Sequence, residues 1–124
     1  ASIGLCYPPA GISRFVSRLG ASTARRMLVA AETLPADELF RIGFLDYLVA
    51  RETLDERVDE LAHHVSGLAP LAVSAMKELV VQAESGGIDR TRATELASHC
   101  EASDDLQEGF AVLREKRSPK FAGH

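Results

Sequence analysis

The sequence predicts a mostly α-helical chain with little strand of its own, and three observations carry that prediction. Apolar residues recur at intervals of three and four in most windows between Gly11 and Leu113. Helix punctuation surrounds those windows: prolines at 35 and 70 where a first turn tolerates them, and glycines at 20, 43, 86 and 87 where helices stop. Only one stretch, FLDYLVA at 44–50, reads as a strand.

In order, ASIGLCYPPAG is short and apolar and is broken by Gly4, Pro8 and Pro9, so it reads as a strand end or loop feeding a helix. Helical spacing is expected only after Gly11, where Ile12, Phe15, Val16 and Leu19 share one face that Gly20 closes. Ser22 or Thr23 suits an N-cap for the next helix, with Met27, Leu28 and Ala31 inward. TLPADELFRIG is a short helix with Pro35 at its start, Asp37 and Glu38 at the positive end of its dipole, and Gly43 as its stop.

From Thr53, a candidate cap, Leu54, Val58, Leu61, Ala62 and Val65 form an amphipathic stripe. Pro70 opens a helix expected to bury Ala72, Val73, Met76, Leu79, Val80 and Ala83. Another, from about Asp89, turns Ala93, Leu96, Ala97 and Cys100 inward. The last begins near Ser103 and ends before Pro119, with Asp104 and Asp105 in its first turn and Arg114, Lys116 and Arg117 in its last. Gly109 is out of place there, because an interior helix glycine costs about 1 kcal/mol relative to alanine. The expectation is that another helix or a ligand packs close to its backbone.

Composition narrows the function classes. Of 124 residues, 46% are hydrophobic and 26% charged, which fits an ordinary globular chain rather than a disordered one. The net charge of −4, from 18 acids and 14 bases, offers no field for nucleic acid. No window reaches the roughly 20 apolar residues of a membrane span. Cys6 and Cys100 are too far apart in sequence for a CxxC pattern, so neither a disulfide scaffold nor a zinc site is expected, and reduced thiols fit a cytoplasmic setting. Ala1 opens inside an apolar stretch without an initiator methionine, as expected of a piece of a longer protein.

Four stretches in this order, GLCYPPAGISRF with its later LG, ETLPADELFRIGFLDYLV, LAPLAVSAMKEL and SDDLQEGFAVLREKRSPKF, resemble the C-terminal half of the crotonase family, the enoyl-CoA hydratases and isomerases. The resemblance runs from about Gly4 to Phe121. It implies the C-terminal helical part of a crotonase-like (ClpP/crotonase) α/β fold, with 1–50 as the end of the core (pocket loop, helices and short strand) and 51–124 as a helical trimerisation region. It further implies a lyase or isomerase of fatty acid metabolism acting on an acyl-CoA through an enolate held in an oxyanion hole. Coenzyme A would enter as part of the substrate, with no metal or redox cofactor.

The partners it implies are the N-terminal half of the same fold and further copies, as a homotrimer or a dimer of trimers. The oxyanion donors and catalytic glutamates are expected upstream of Ala1, so no catalytic residue is assigned to this chain, and by itself it is expected to be inactive. The substrate-pocket positions implied are Gly4, Leu5, Tyr7, Pro8 and Gly11; CYPPAGIS departs from the family's run of glycines, which reshapes the acyl pocket. Another departure puts Ala30, Ala31 and Glu32 where the family has a Thr-Gly-Arg-like turn. Lys116 and Leu113 match the family's coenzyme A contacts in an adjacent subunit, with Leu113 standing where a phenylalanine is frequent.

Each of these has a plainer reading beside it. Lys116 reads equally as a helix-end cation. His63 and His64 are adjacent and point apart on a helix, unlike a metal pair. Cys100 beside His99 reads as a small core residue rather than a nucleophile. Glu78, Glu84 and Glu95 read as solvated helix faces before acid–base groups, and Arg25 and Arg26 as surface or subunit-contact charges before a phosphate site. The alternative to an enzyme portion is a non-catalytic helical interaction module, or a catalytically inactive crotonase-like structural subunit.

Overall fold

The computed structural model describes residues 2–124, whose regular elements are helices, with no strand among the described residues. The chain divides into two compact units, Ala1–Glu52 and Thr53–His124.

In the first unit α1 spans Pro9–Leu28. It begins earlier than the spacing predicts, because Pro9 occupies the first turn, where proline's fixed φ suits a helix and its missing N–H costs nothing. Gly20 (φ 74°, ψ 157°) breaks α1 internally. That conformation is essentially confined to glycine. Helical geometry resumes at once, so Ser22 and Thr23 fall inside the second stretch rather than capping it.

Helix α2, Ala36–Arg41, follows Pro35 with Asp37 and Glu38 in its first turn. The Arg26 guanidinium ties α1 to α2, donating to Glu32 and to Glu38. Leu19, Ala24 and Leu34 are the buried apolar side chains here. The expected strand at 44–50 is absent: the segment is irregular, and Phe44, Tyr47 and Leu48 are exposed. β-Propensity describes a fit to a pleated, half-buried surface, and no described strand lies alongside to supply one.

After a 3-10 turn at Arg51–Thr53, the second unit holds α3 (Leu54–Ser66), α4 (Pro70–Glu84), α5 (Arg90–Glu101) and α6 (Asp104–Glu115). Thr53 stands at the N-cap of α3, but its side chain makes no cap bond. Asp89 caps α5 by accepting from Thr91 and Arg92 N–H, and Ser103 caps α6 by accepting from Leu106 N–H. Helix α5 packs on α4 and α6. Arg92 of α5 donates twice to Glu78 of α4, and Gln82 Oε1 accepts from Asp89 N–H at 2.9 Å.

The interior is sparse. On α4 the buried apolar residue is Ala75, while Met76 (67% exposed) and Val80, both expected inside, face out. Leu54, Val58 and Val65 leave the α3 stripe uncovered as well. An amphipathic pattern identifies the apolar face of a helix; it does not supply the surface that covers it. Gly109 has no described atom within 4 Å of where a Cβ would sit, so the close approach expected at its backbone is not made among the described residues. No helix among the described residues is long and apolar enough to cross a membrane.

Candidate functional site

The residues singled out by sequence form two groups, one in each unit. In the first, residues 2–8 lead into α1 through Pro8, whose carbonyl accepts from Gly11 N–H (2.9 Å) and Ile12 N–H (3.1 Å) to close the first turn. That turn folds the Tyr7 ring back over the helix. Its Cδ1 lies 3.5 Å from where a Gly11 Cβ would be, and its ring meets Phe15 edge-on, with centroids 5.8 Å apart and planes at 69°.

Cys6, Tyr7, Pro9, Ile12, Ser13, Val16 and Ser17 line an open groove of about 690 Å³. Of the expected pocket positions, Tyr7 is on that wall. Gly4, at φ 73°, makes the preceding turn; Leu5 is 56% exposed; Pro8 and Gly11 form the helix start behind the groove. The groove residues Pro9, Ile12 and Val16 entered the sequence reading only as a loop breaker and as a helix face, although a one-sided apolar stripe next to the expected pocket loop was already the signal. The lining contains no carboxylate and no histidine, so what it offers chemically is an apolar wall with a phenol, a thiol and two hydroxyls.

The second group lies at the end of α6. The helix stops at Glu115, and Lys116 takes the left-handed conformation (φ 52°, ψ 44°) as its C-cap, its N–H donating to Val112 O at 2.8 Å. The expectation that Lys116 and Arg117 share the last helical turn with Arg114 is therefore corrected; the left-handed residue reverses the chain before Arg117. Leu113 (76% exposed) and Lys116 stand near the turn, and the Lys116 ammonium has no partner among the described residues.

Residues 117–124 then return along α6 as a strap. Arg117 forks onto Glu108, with both N–H···O distances at 2.6 Å, and its Nε donates to Glu115. Lys120 N–H donates to Glu108 at 2.7 Å. Nearer the start of α6, Asp105 accepts from Ala122 N–H (2.7 Å) and Gly123 N–H (3.0 Å), and Asp104 N–H donates to His124 O. At Gly123 (φ 83°) a Cβ would lie 3.0 Å from Pro70 Cγ, so the strap's tip closes tightly on the start of α4.

Electrostatics follow these contacts. The Arg117 guanidinium, then the Lys120 N–H, hold Glu108 down at about 2, and the Arg117 cation is in turn stabilised. Arg26 lowers Glu32 and Glu38 from the usual carboxylate range, and Arg92 lowers Glu78. These carboxylates are held ionised by guanidinium partners, which suits structure rather than proton transfer near neutral pH. Arg26, read from sequence as a surface or subunit-contact charge, joins two helices, and Asp105, read as a dipole charge, is buried and holds the strap. His63 and His64 are exposed, Cys6 is exposed and Cys100 half-buried, both thiols free. No group of three or more metal-ligating side chains gathers among the described residues.

Comparison with known proteins places this architecture. The family profile described as enoyl-CoA hydratase/isomerase matches residues 1–124. The chain is 30% identical over 127 residues to methylmalonyl-CoA decarboxylase of Escherichia coli K12, covering 99% of this chain and 49% of that protein. It is 31% identical over 123 residues to crotonyl-CoA hydratase of Syntrophomonas wolfei, covering 96% and 47%. Among solved structures, an enoyl-CoA hydratase/isomerase family protein from Hyphomonas neptunium superposes with a TM-score of 0.85 at 26% identity, covering 99% of this chain and 47% of that one. The chain thus spans about half the length of the relatives it matches.

Proposed function

The chain belongs to the enoyl-CoA hydratase/isomerase family, and from that premise we propose that it is the C-terminal portion of an enzyme acting on acyl-CoA thioesters. The observation that carries the proposal is the family match along the whole chain, joined to coverage of only about half of each relative. The reaction would run through a thioester enolate stabilised in an oxyanion hole. Oxyanion donors and proton-transferring carboxylates would come from outside this chain, consistent with a groove wall that holds no carboxylate. No metal or redox cofactor takes part in this reading; coenzyme A arrives as part of the substrate.

In this reading the 4–11 segment, with Tyr7 at its surface, supplies pocket wall. Lys116, left without a partner among the described residues, contacts a phosphate of coenzyme A, and Leu113 packs beside it without ring stacking on adenine. The apolar faces at Met76, Val80, Phe110 and Leu113 would be covered by the N-terminal half and by further copies in a trimer or dimer of trimers. A cytoplasmic enzyme of fatty acid metabolism is the setting that fits. The test is a hydratase assay with crotonyl-CoA on the chain alone and on the chain combined with an N-terminal half of the family. The expected result is activity only in the combination, and strong turnover by the chain alone would overturn the proposal.

A further inference from the structure

The charges around Lys116 divide in a way that points to a second role for the strap. Every other charged side chain in the run Glu115–Arg117 is engaged locally: Glu115 with Arg117, and Arg117 with Glu108. Of these three, Lys116 alone is left without a side-chain partner among the described residues, and its backbone sits in the left-handed region that residues with a Cβ rarely adopt. Such a conformation persists where surrounding contacts over-determine it. Here those contacts are the Lys116 N–H to Val112 O on one side and, one residue later, the Arg117 fork onto Glu108 on the other. Glu108 also accepts the Lys120 N–H, so a single carboxylate holds the chain both directly after the reversal and three residues further on.

We propose that Glu108 is a positioning residue for Lys116: acting through Arg117, it fixes the left-handed turn that presents the Lys116 ammonium, unpaired, to an anionic ligand group. This rests on the reading of Lys116 as a coenzyme A contact and adds a residue that touches no ligand itself. A flexible lysine loses rotamer and backbone freedom on binding a phosphate; a turn already held in place lowers that cost. Because Glu108 is ionised from pH about 2 upward, the hold is constant through the working range.

The experiment is a double-mutant cycle in the complete enzyme, with the dissociation constant for coenzyme A read by calorimetry. Lys116→Ala is expected to weaken binding about tenfold. Glu108→Gln is expected to weaken it about threefold, and the double variant no further than Lys116→Ala alone. Arg117→Gln breaks the same bridge from its other end and is expected to match Glu108→Gln.

A strap that only stabilises the fold would lower affinity in the Lys116→Ala background as well, so fully multiplicative effects would overturn the positioning role. So would an unchanged affinity in both Glu108→Gln and Arg117→Gln while Lys116→Ala still weakens binding. If Lys116→Ala itself leaves coenzyme A affinity unchanged, the contact assigned to Lys116 fails first and the positioning role falls with it.

Discussion

Asp104 and Asp105 are adjacent, carry the same charge and occupy the same first turn of α6, yet the structure gives them different consequences. Asp105 is 4% exposed and accepts two backbone N–H groups from the strap, whereas the Asp104 side chain is exposed and its strap contact is made by its backbone. A hydrogen bond to a charged acceptor contributes about 1.5–3 kcal/mol. Two such bonds bound the loss at about 3–6 kcal/mol, but a strap at the surface can peel away and hydrate its freed N–H groups. The expected cost of Asp105→Ala is therefore about 2–4 kcal/mol, seen as strap release.

Native-state amide exchange reads this directly. Protection at Ala122 and Gly123 should fall by about 30- to 1,000-fold in Asp105→Ala, the conversion of that range at about 1.4 kcal/mol per decade. Asp104→Ala removes only a helix-dipole charge worth about 0.3–1 kcal/mol and should leave strap protection within about fivefold. Equal effects of the two substitutions, or unchanged protection in Asp105→Ala, would refute the assignment of the strap's anchor to Asp105.

Other outcomes follow from the same contacts. Glu108 is held at about 2 in the folded chain against 4.5 for the free side chain, so its contribution is present above about pH 4.5 and is lost as pH falls toward 2; thermal midpoints across that window should drop more steeply in the natural sequence than in Glu108→Gln. Gly20→Ala places a Cβ on a residue at φ 74°, ψ 157° and should cost about 1–3 kcal/mol in denaturant unfolding although the site is sterically open, so a neutral result would contradict the backbone assignment. Gly109→Ala meets no described atom and should raise the stability of the isolated chain by about 1 kcal/mol; a loss confined to the chain combined with an N-terminal half of the family would locate a neighbouring surface there.

Much of the local structure was legible in the sequence because its causes are local. Proline at a first turn, glycine beyond a last turn and helix starts near Asp89 and Ser103 all act within a few residues, and α4, α5 and α6 fall where those signals put them. What sequence misjudged were features that depend on a distant partner. FLDYLVA has strand-forming residues but no neighbouring strand among the described residues, and Met76 and Val80 are apolar without a covering surface.

The family of this chain and its helical character were determined by the sequence alone, since periodicity, punctuation and motif order survive without coordinates. Tertiary structure decided which charges are structural. Arg26, Asp105, Glu108 and Arg117 look like any solvated helix charge when read in line, and become hubs only when Arg26 meets Glu38, 12 positions away, and when the strap folds back along α6. Lys116 stands apart for the same reason: Glu115 and Arg117 find partners through space, and the Lys116 ammonium finds none among the described residues. Spacing along a helix encodes a face; only the folded chain determines what that face meets.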